Sequence, residues 1–198
     1  AKLPLGKLAN LLDEKLYQQE WFVTGQVDPS FFHENFEHYH QDDSQWMTML
    51  TGHSGEEPLK LMPSSSLESY VEHVQTMFDP NESRAQVICT EVAQEEDADQ
   101  KITCTWRLSG RTNLLWGLDL KPILVQTDFF IHESTGLIEK QVDRYSIPHW
   151  DIFLSAMFPT LTTWGIMSPP ADAVAERTVV DTTRQHPVNP VEAWMARA

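Results

Sequence analysis

The chain has 198 residues, about one domain at roughly 150 residues each. Its 14 lysines and arginines are outnumbered by 29 acidic residues, leaving a net charge of −15. That balance argues against a duplex nucleic-acid binder and against electrostatic docking on anionic lipid. Hydrophobic residues make up 41%, with seven tryptophans, so a sizeable core is available and whole-chain disorder is excluded. Two cysteines are too few for a disulfide scaffold. No apolar run approaches the roughly 18 residues of a membrane span. The chain opens at Ala1 with no hydrophobic signal core behind it, as a processed or trimmed chain would.

Leu5, Leu8, Leu11, Leu12 and Leu16 recur at helical spacing opposite Asp13, Glu14, Lys15 and Gln18, which predicts an amphipathic helix over Leu5 to Glu20. Gly25 breaks the pattern, and Asp28-Pro29 reads as an N-cap with proline at the first helical position. The short helix expected there carries Phe31, Phe32 and Phe36, and a strand follows to Asp42. Residues 44–64 lack a period and form a long excursion. Ser65 and Glu68 fit a capping box, opening a helix whose apolar face is Tyr70, Val71, Val74, Met77 and Phe78.

After Pro80 the period falls to 2. The run around Val87, Cys89 and Glu91 is ambiguous in its faces, whereas Ile102, Cys104, Trp106 and Leu108 give a clean half-buried strand. The acidic turn between them, Glu95 to Asp99, reads as a solvated tip. Ile123 to Ile131 is a third strand, Glu133 to Gly136 a hairpin turn, and Leu137 to Ile147 a fourth strand. An apolar helix spans Asp151 to Phe158 and ends at Pro159. From Ser168 onward four prolines and scattered apolar residues predict an extended arm, anchored by Trp194 on its own domain or on a partner. Helices followed by a meander of strands mean α+β, with helices on one face of a curved antiparallel sheet. The domain is expected over 5–160 and the arm over 161–198.

This order resembles the nuclear transport factor 2-like (SnoaL-like) superfamily, and within it a domain-of-unknown-function family of plants, algae and cyanobacteria. The resemblance is carried by Trp21 to Gly25, Leu67 to Tyr70, Thr105 to Gly110 with Leu114 to Trp116, and Gly136 to Ile138 leading into Asp151 to Phe153. It implies a cone: a strongly bent sheet with helices packed on its concave face, closing a pocket at the wide end. It also implies a plastid protein, soluble or peripheral to the thylakoid, with a photosynthetic complex as partner. The superfamily includes isomerases, dehydratases, cyclases and non-catalytic binding proteins, so fold alone does not choose among them.

Inside such a cone, Trp106, Phe129 and Tyr145 are the expected pocket lining. Asp143 shares a strand face with Glu139, Gln141 and Tyr145, and burial there would raise its pKa and fit it for general acid or base work, with Tyr39 or His40 opposite. His38, His40 and Asp42 share a strand face as a conceivable metal set, with His33 just before them. Ligands at i and i+2 splay along a strand, however, so polar edge residues are the expectation, with no metal and no cofactor. Cys89 and Cys104 are expected as buried thiols, Cys104 facing Glu91. Two functions follow. The preferred one is a non-catalytic accessory protein, a peripheral subunit or assembly partner of a photosynthetic membrane complex. The alternative is a small-molecule isomerase, dehydratase or cyclase using Asp143. An open pocket with Asp143 in hydrogen-bond reach of Tyr39 or His40 favours the enzyme, and a pocket plugged by Trp106, Phe129 and Tyr145 favours the accessory protein.

Overall fold

A computed structural model of the chain describes residues 3–41, 64–93, 100–113 and 117–174. The excursion, save Ser64, most of the acidic turn, Leu114 to Trp116 and Trp194 lie outside these residues. Helix α1 (Leu5–Gln19) buries Leu8, Leu12 and Leu16 of the predicted stripe but leaves Leu11 exposed. It also buries Asp13 of the expected polar face, whose carboxylate accepts from the Thr90 hydroxyl, and ends at Glu20 in a left-handed conformation at φ 45°. The Glu20 carboxylate accepts the Ala85 backbone N–H at 3.0 Å, which anchors this unusual turn to the sheet. Helix α2 (Trp21–Thr24) follows directly and stops at Gly25, φ 67°, where a Cβ would lie 2.9 Å from Gln75 Cγ.

Asp28 caps a single 3₁₀ turn, Pro29–Phe31, its carboxylate accepting from Ser30 N–H. The expected helix through Phe36 therefore ends at Phe31, and Phe32 and Phe36 belong to strand β1 (Phe32–Gln41). Residues four apart share a face of a strand as they do of a helix, so both rings reach the core at the spacing that suggests a helix. Helix α3 (Leu67–Met77) is capped by Ser66, one residue later than the capping-box reading, with Ser66 Oγ accepting from Ser69 N–H.

Strands β2 (Arg84–Ala93), β3 (Lys101–Thr112), β4 (Leu118–Ile131) and β5 (Ile138–Tyr145) form the expected antiparallel meander. The sheet order is β1-β5-β4-β3-β2, and β1 joins β5 in parallel, so the sheet is mixed rather than wholly antiparallel. The chain leaves β1 and returns to the opposite edge through α3, a crossover that makes a parallel neighbour. A bulge between Val87 and Cys89 reverses the face of β2, which is why its alternation was ambiguous. Beyond it Cys104 faces Thr90, not Glu91, and both cysteines are free and buried.

One hydrophobic cluster joins α1, α2, α3 and the inward residues of the sheet, including Ile102, Trp106, Phe129 and Ile138. Trp106 is 3% exposed and stacks on Phe22 with ring centroids 4.3 Å apart and planes 5° apart. Helix α4 (His149–Met157) and the short helix α5 (Pro159–Thr163) close the described domain, Pro159 opening α5 instead of ending the helical region. None of the helices among the described residues is long and apolar enough to cross a membrane. The first residues of the expected arm lie on the other face of the sheet. Ala171 packs on Leu124 and Ile88, and its N–H donates to Pro122 O at 2.7 Å.

Trp106→Ala should cost about 3–5 kcal/mol, as truncations of large buried aromatics do. Equilibrium denaturation measures it, and a loss under about 1 kcal/mol would contradict the packing of β3 against α2.

Candidate active site

The parallel pairing of β1 and β5 places His40 opposite Asp143 and His38 opposite Gln141. Period 2 along each strand then aims His38, His40, Gln141, Asp143 and Tyr145 at the helical side. The backbone of β1 is held on its other side by Ser64, which exchanges hydrogen bonds with His38 at 2.9 and 3.2 Å. His38 Nε2 lies 2.8 Å from Asp143 Oδ2, with His38 1% and Asp143 5% exposed. Thr127 Oγ1–H donates to Asp143 Oδ1 at 2.6 Å, and the Trp106 indole N–H donates to Thr127 Oγ1 at 2.9 Å. Gln141 Nε2–H₂ reaches Asp143 at 3.3 Å and the Tyr70 hydroxyl at 3.4 Å.

Burial by itself would raise the Asp143 pKa, as the sequence suggested. The charge and hydrogen bond of His38, then His40 and Thr127, outweigh it and hold the carboxyl below its ordinary range. Asp143 is therefore an anion, and His38 Nε2 is the donor of the pair. The other ring nitrogen of His38, Nδ1, is buried without a hydrogen-bond partner among the described residues.

In front of this pair lies a cavity of about 430 Å³. Its walls are apolar, from Met77, Phe78, Leu108, Leu120, Ile123, Ile152 and Phe153, and one end is polar, from His40, His73, Tyr145 and His149. His40 stands between cavity and carboxylate. Its ring lies 4.5 Å from that of His38, and its Nδ1 is 3.4 Å from the Tyr145 hydroxyl. Burial, then the neighbouring His38, lower its pKa to about 4, so His40 is neutral at pH 7. His73 is lowered by the same two causes. Burial and the Asp143 charge push the Tyr145 phenol up, keeping it protonated.

Of the residues singled out in the sequence, Asp143, His40 and Tyr145 meet here. Tyr39 does not: it occupies the opposite face of β1, where its hydroxyl donates to Glu37 and Lys140 lies 5.2 Å from its ring. Trp106 reaches only a small cleft between Asp143 and Phe22, and Phe129 is fully buried in the core beside Trp21 and Phe22, so neither walls the main cavity. The cavity is not plugged by these rings. Asp42 lies outside the described residues, and Asp143 takes its place beside the two histidines: donor atoms of His38, His40 and Asp143 lie within 4.8 Å of one another. His73 and His149 carried no sequence signal, because each arrives from a separate helix.

No protein-family model and no curated protein matches the chain. Among solved structures it is similar in chain path to a protein from Jannaschia sp. CCS1 assigned as a SnoaL-like polyketide cyclase, at 14% identity and TM-score 0.48, over 79% of this chain and 95% of the other. A phenazine biosynthesis-related protein from Pseudomonas aeruginosa gives 12% identity and TM-score 0.47 over 88% and 96% of the two chains. An NTF2-like protein of unknown function from Cytophaga hutchinsonii gives 10% and 0.41 over 73% and 92%. The α+β cone expected from the superfamily resemblance is the architecture found, and the likeness extends to fold alone.

Below its ordinary value of 6.5, His40 in the unfolded chain takes up a proton that the folded chain refuses until about pH 4. Stability contributed through His40 is therefore intact above 6.5 and lost as pH falls through this window. His40→Gln should lose less stability between pH 7 and 4.5 than the parent, by on the order of 2 kcal/mol. Urea denaturation at both pH values tests this, and parallel losses would contradict it.

Proposed function

We propose that this chain is a small-molecule enzyme that moves a proton on a neutral, largely apolar substrate, in the class of isomerases, dehydratases and cyclases. The observation carrying this reading is the buried His38–Asp143 pair set behind His40 at the histidine-lined end of a largely apolar cavity. The cavity lies within the 300–1,000 Å³ typical of small-molecule sites, and among the described residues no side chain lining it is an acid, a lysine or an arginine.

The three reaction types share one opening step, removal of a proton beside a carbonyl. Neutral His40 accepts that proton, and Asp143 stabilises the imidazolium that forms. Tyr145, protonated and at the same end, donates to the oxygen where negative charge develops, and a donor so placed lowers the barrier that the base alone would face. His38 fixes the carboxylate and Thr127 fixes its second oxygen. This role for Asp143 differs from the general acid expected from burial, because its donors keep it ionised. The accessory reading draws on an unmatched dyad, on residues 44–64 and on the arm from Ser168, the last two mostly outside the described residues, and the Trp106 and Phe129 rings that would plug the pocket do not line it.

Aryl-fused cyclic ketones incubated with the protein in D₂O should exchange their α-protons above the buffer rate, read by NMR. His40→Ala should lose about 10²–10⁴-fold of that rate while melting as the parent does. No exchange with any ketone of the set, or exchange indifferent to His40→Ala, would overturn the reading.

A further inference from the structure

We infer that His38, His40 and Asp143 form a binding site for a divalent transition metal of the zinc class. The inference stands on geometry and goes beyond the proton-transfer reading. Two histidines at i and i+2 on β1 present their rings on one face, and their centroids converge to 4.5 Å rather than splaying. Parallel pairing brings the third donor, Asp143, from the next strand. The three donor atoms lie within 4.8 Å of one another. Ligation at about 2.0–2.1 Å in tetrahedral geometry needs them about 3.4 Å apart. His38 and Asp143, hydrogen-bonded at 2.8 Å, would have to part by about half an ångström to share an ion, and the remaining closure falls to His40, which borders the cavity.

A second observation points the same way. His38 Nδ1 is buried without a hydrogen-bond partner, and so is Nε2 of His73, whose ring lies 6.1 Å from that of His40. Buried polar atoms are normally satisfied. Each of these two nitrogens belongs to a histidine beside His40, and Nδ1 of His38 is the atom left to carry the ring proton when Nε2 faces an ion. Three protein donors with the fourth direction open to a cavity is the arrangement of catalytic rather than structural zinc sites. Imidazole nitrogen and carboxylate oxygen suit zinc, and two histidines with one carboxylate also suit iron(II) or cobalt(II). On binding, His38 takes the tautomer protonated at Nδ1, so that Nε2 and Asp143 Oδ2 both turn lone pairs to the ion.

The ion and a substrate proton compete for the same His40 lone pair, so metal loading should suppress the deuterium exchange described above. The metal site is tested without that activity. The full chain, stripped with chelator, is titrated with Zn²⁺ by calorimetry and with Co²⁺ by visible absorption. One equivalent should bind, with the intense bands of four-coordinate cobalt. His40→Ala should weaken Zn²⁺ binding at least tenfold at unchanged thermal stability, whereas His132→Ala, which alters the exposed His33–His132 stack, should leave it unchanged. Asp143→Asn provides a second variant at the carboxylate. Absence of saturable binding at one equivalent overturns the inference, as does binding that survives His40→Ala or is lost in His132→Ala. Absence of ketone exchange in the metal-free chain, with metal binding intact, would overturn the proton-transfer reading alone.

Discussion

Asp143 is ionised and 5% exposed, and a carboxylate in that condition is tolerated only if donors meet both of its oxygens. Those donors come from three strands. His38 is on β1, Thr127 on β4, and Gln141 two residues before it on β5. The arrangement requires β1 to lie parallel to β5 with His40 opposite Asp143. A slip of one residue would replace both histidines by Glu37 and Tyr39, setting a second acid beside the first. The edge strand of the sheet is thus held in register by charge as well as by its ladder of hydrogen bonds.

The same requirement ties the site to the core. Thr127 spends its hydroxyl hydrogen on Asp143 and accepts the indole hydrogen of Trp106, whose ring stacks on Phe22 of α2. Trp106 therefore acts in two ways, as a contact between β3 and the helices and as the first donor in a chain ending on the carboxylate. Rigid packing at one end of that chain limits how far Asp143 can move at the other, which is what a preorganised charge needs.

The cavity wall opposite the sheet depends on a separate buried pair. Asp151, in the first turn of α4, accepts from Lys121 of β4 and from the Ser168 N–H at 2.9 Å, and Lys121 also donates to Ser168 O at 2.7 Å. These bonds fasten α4 to the sheet and bring the chain beyond α5 back across the outer face toward Ala171. Helix α4 supplies His149, Ile152 and Phe153 to the cavity, so the shape of the site is set from both sides by charges that cannot be released into apolar surroundings without cost. Phe153, Phe158 and Trp164 remain exposed on this side of the molecule.

Most of the fold was legible because it is written in local periods. The stripe of α1, the cap at Asp28, the alternation from Ile102 to Leu108 and the turn ending at Gly136 each follow from spacing within a few residues. The polar face of β5, with Gln141, Asp143 and Tyr145 together, was legible for the same reason. The errors came at Phe32 to Phe36, where a spacing of four fits helix and strand alike, and at Val87 to Cys89, where a bulge changes phase and displaces the partner of Cys104 by one residue. The site itself was only half visible. Sequence placed His38 and His40 on one face but offered Tyr39 as an equal partner for Asp143 and put Phe129 at the pocket. Which histidine meets the carboxylate, whether that carboxylate is raised or lowered, and the arrival of His73 and His149 were decided by the parallel crossover and by helices docking from distant parts of the chain. A period records which side chains share a face, whereas an electrostatic environment is made by whatever the tertiary structure carries up to that face, and no local spacing encodes it.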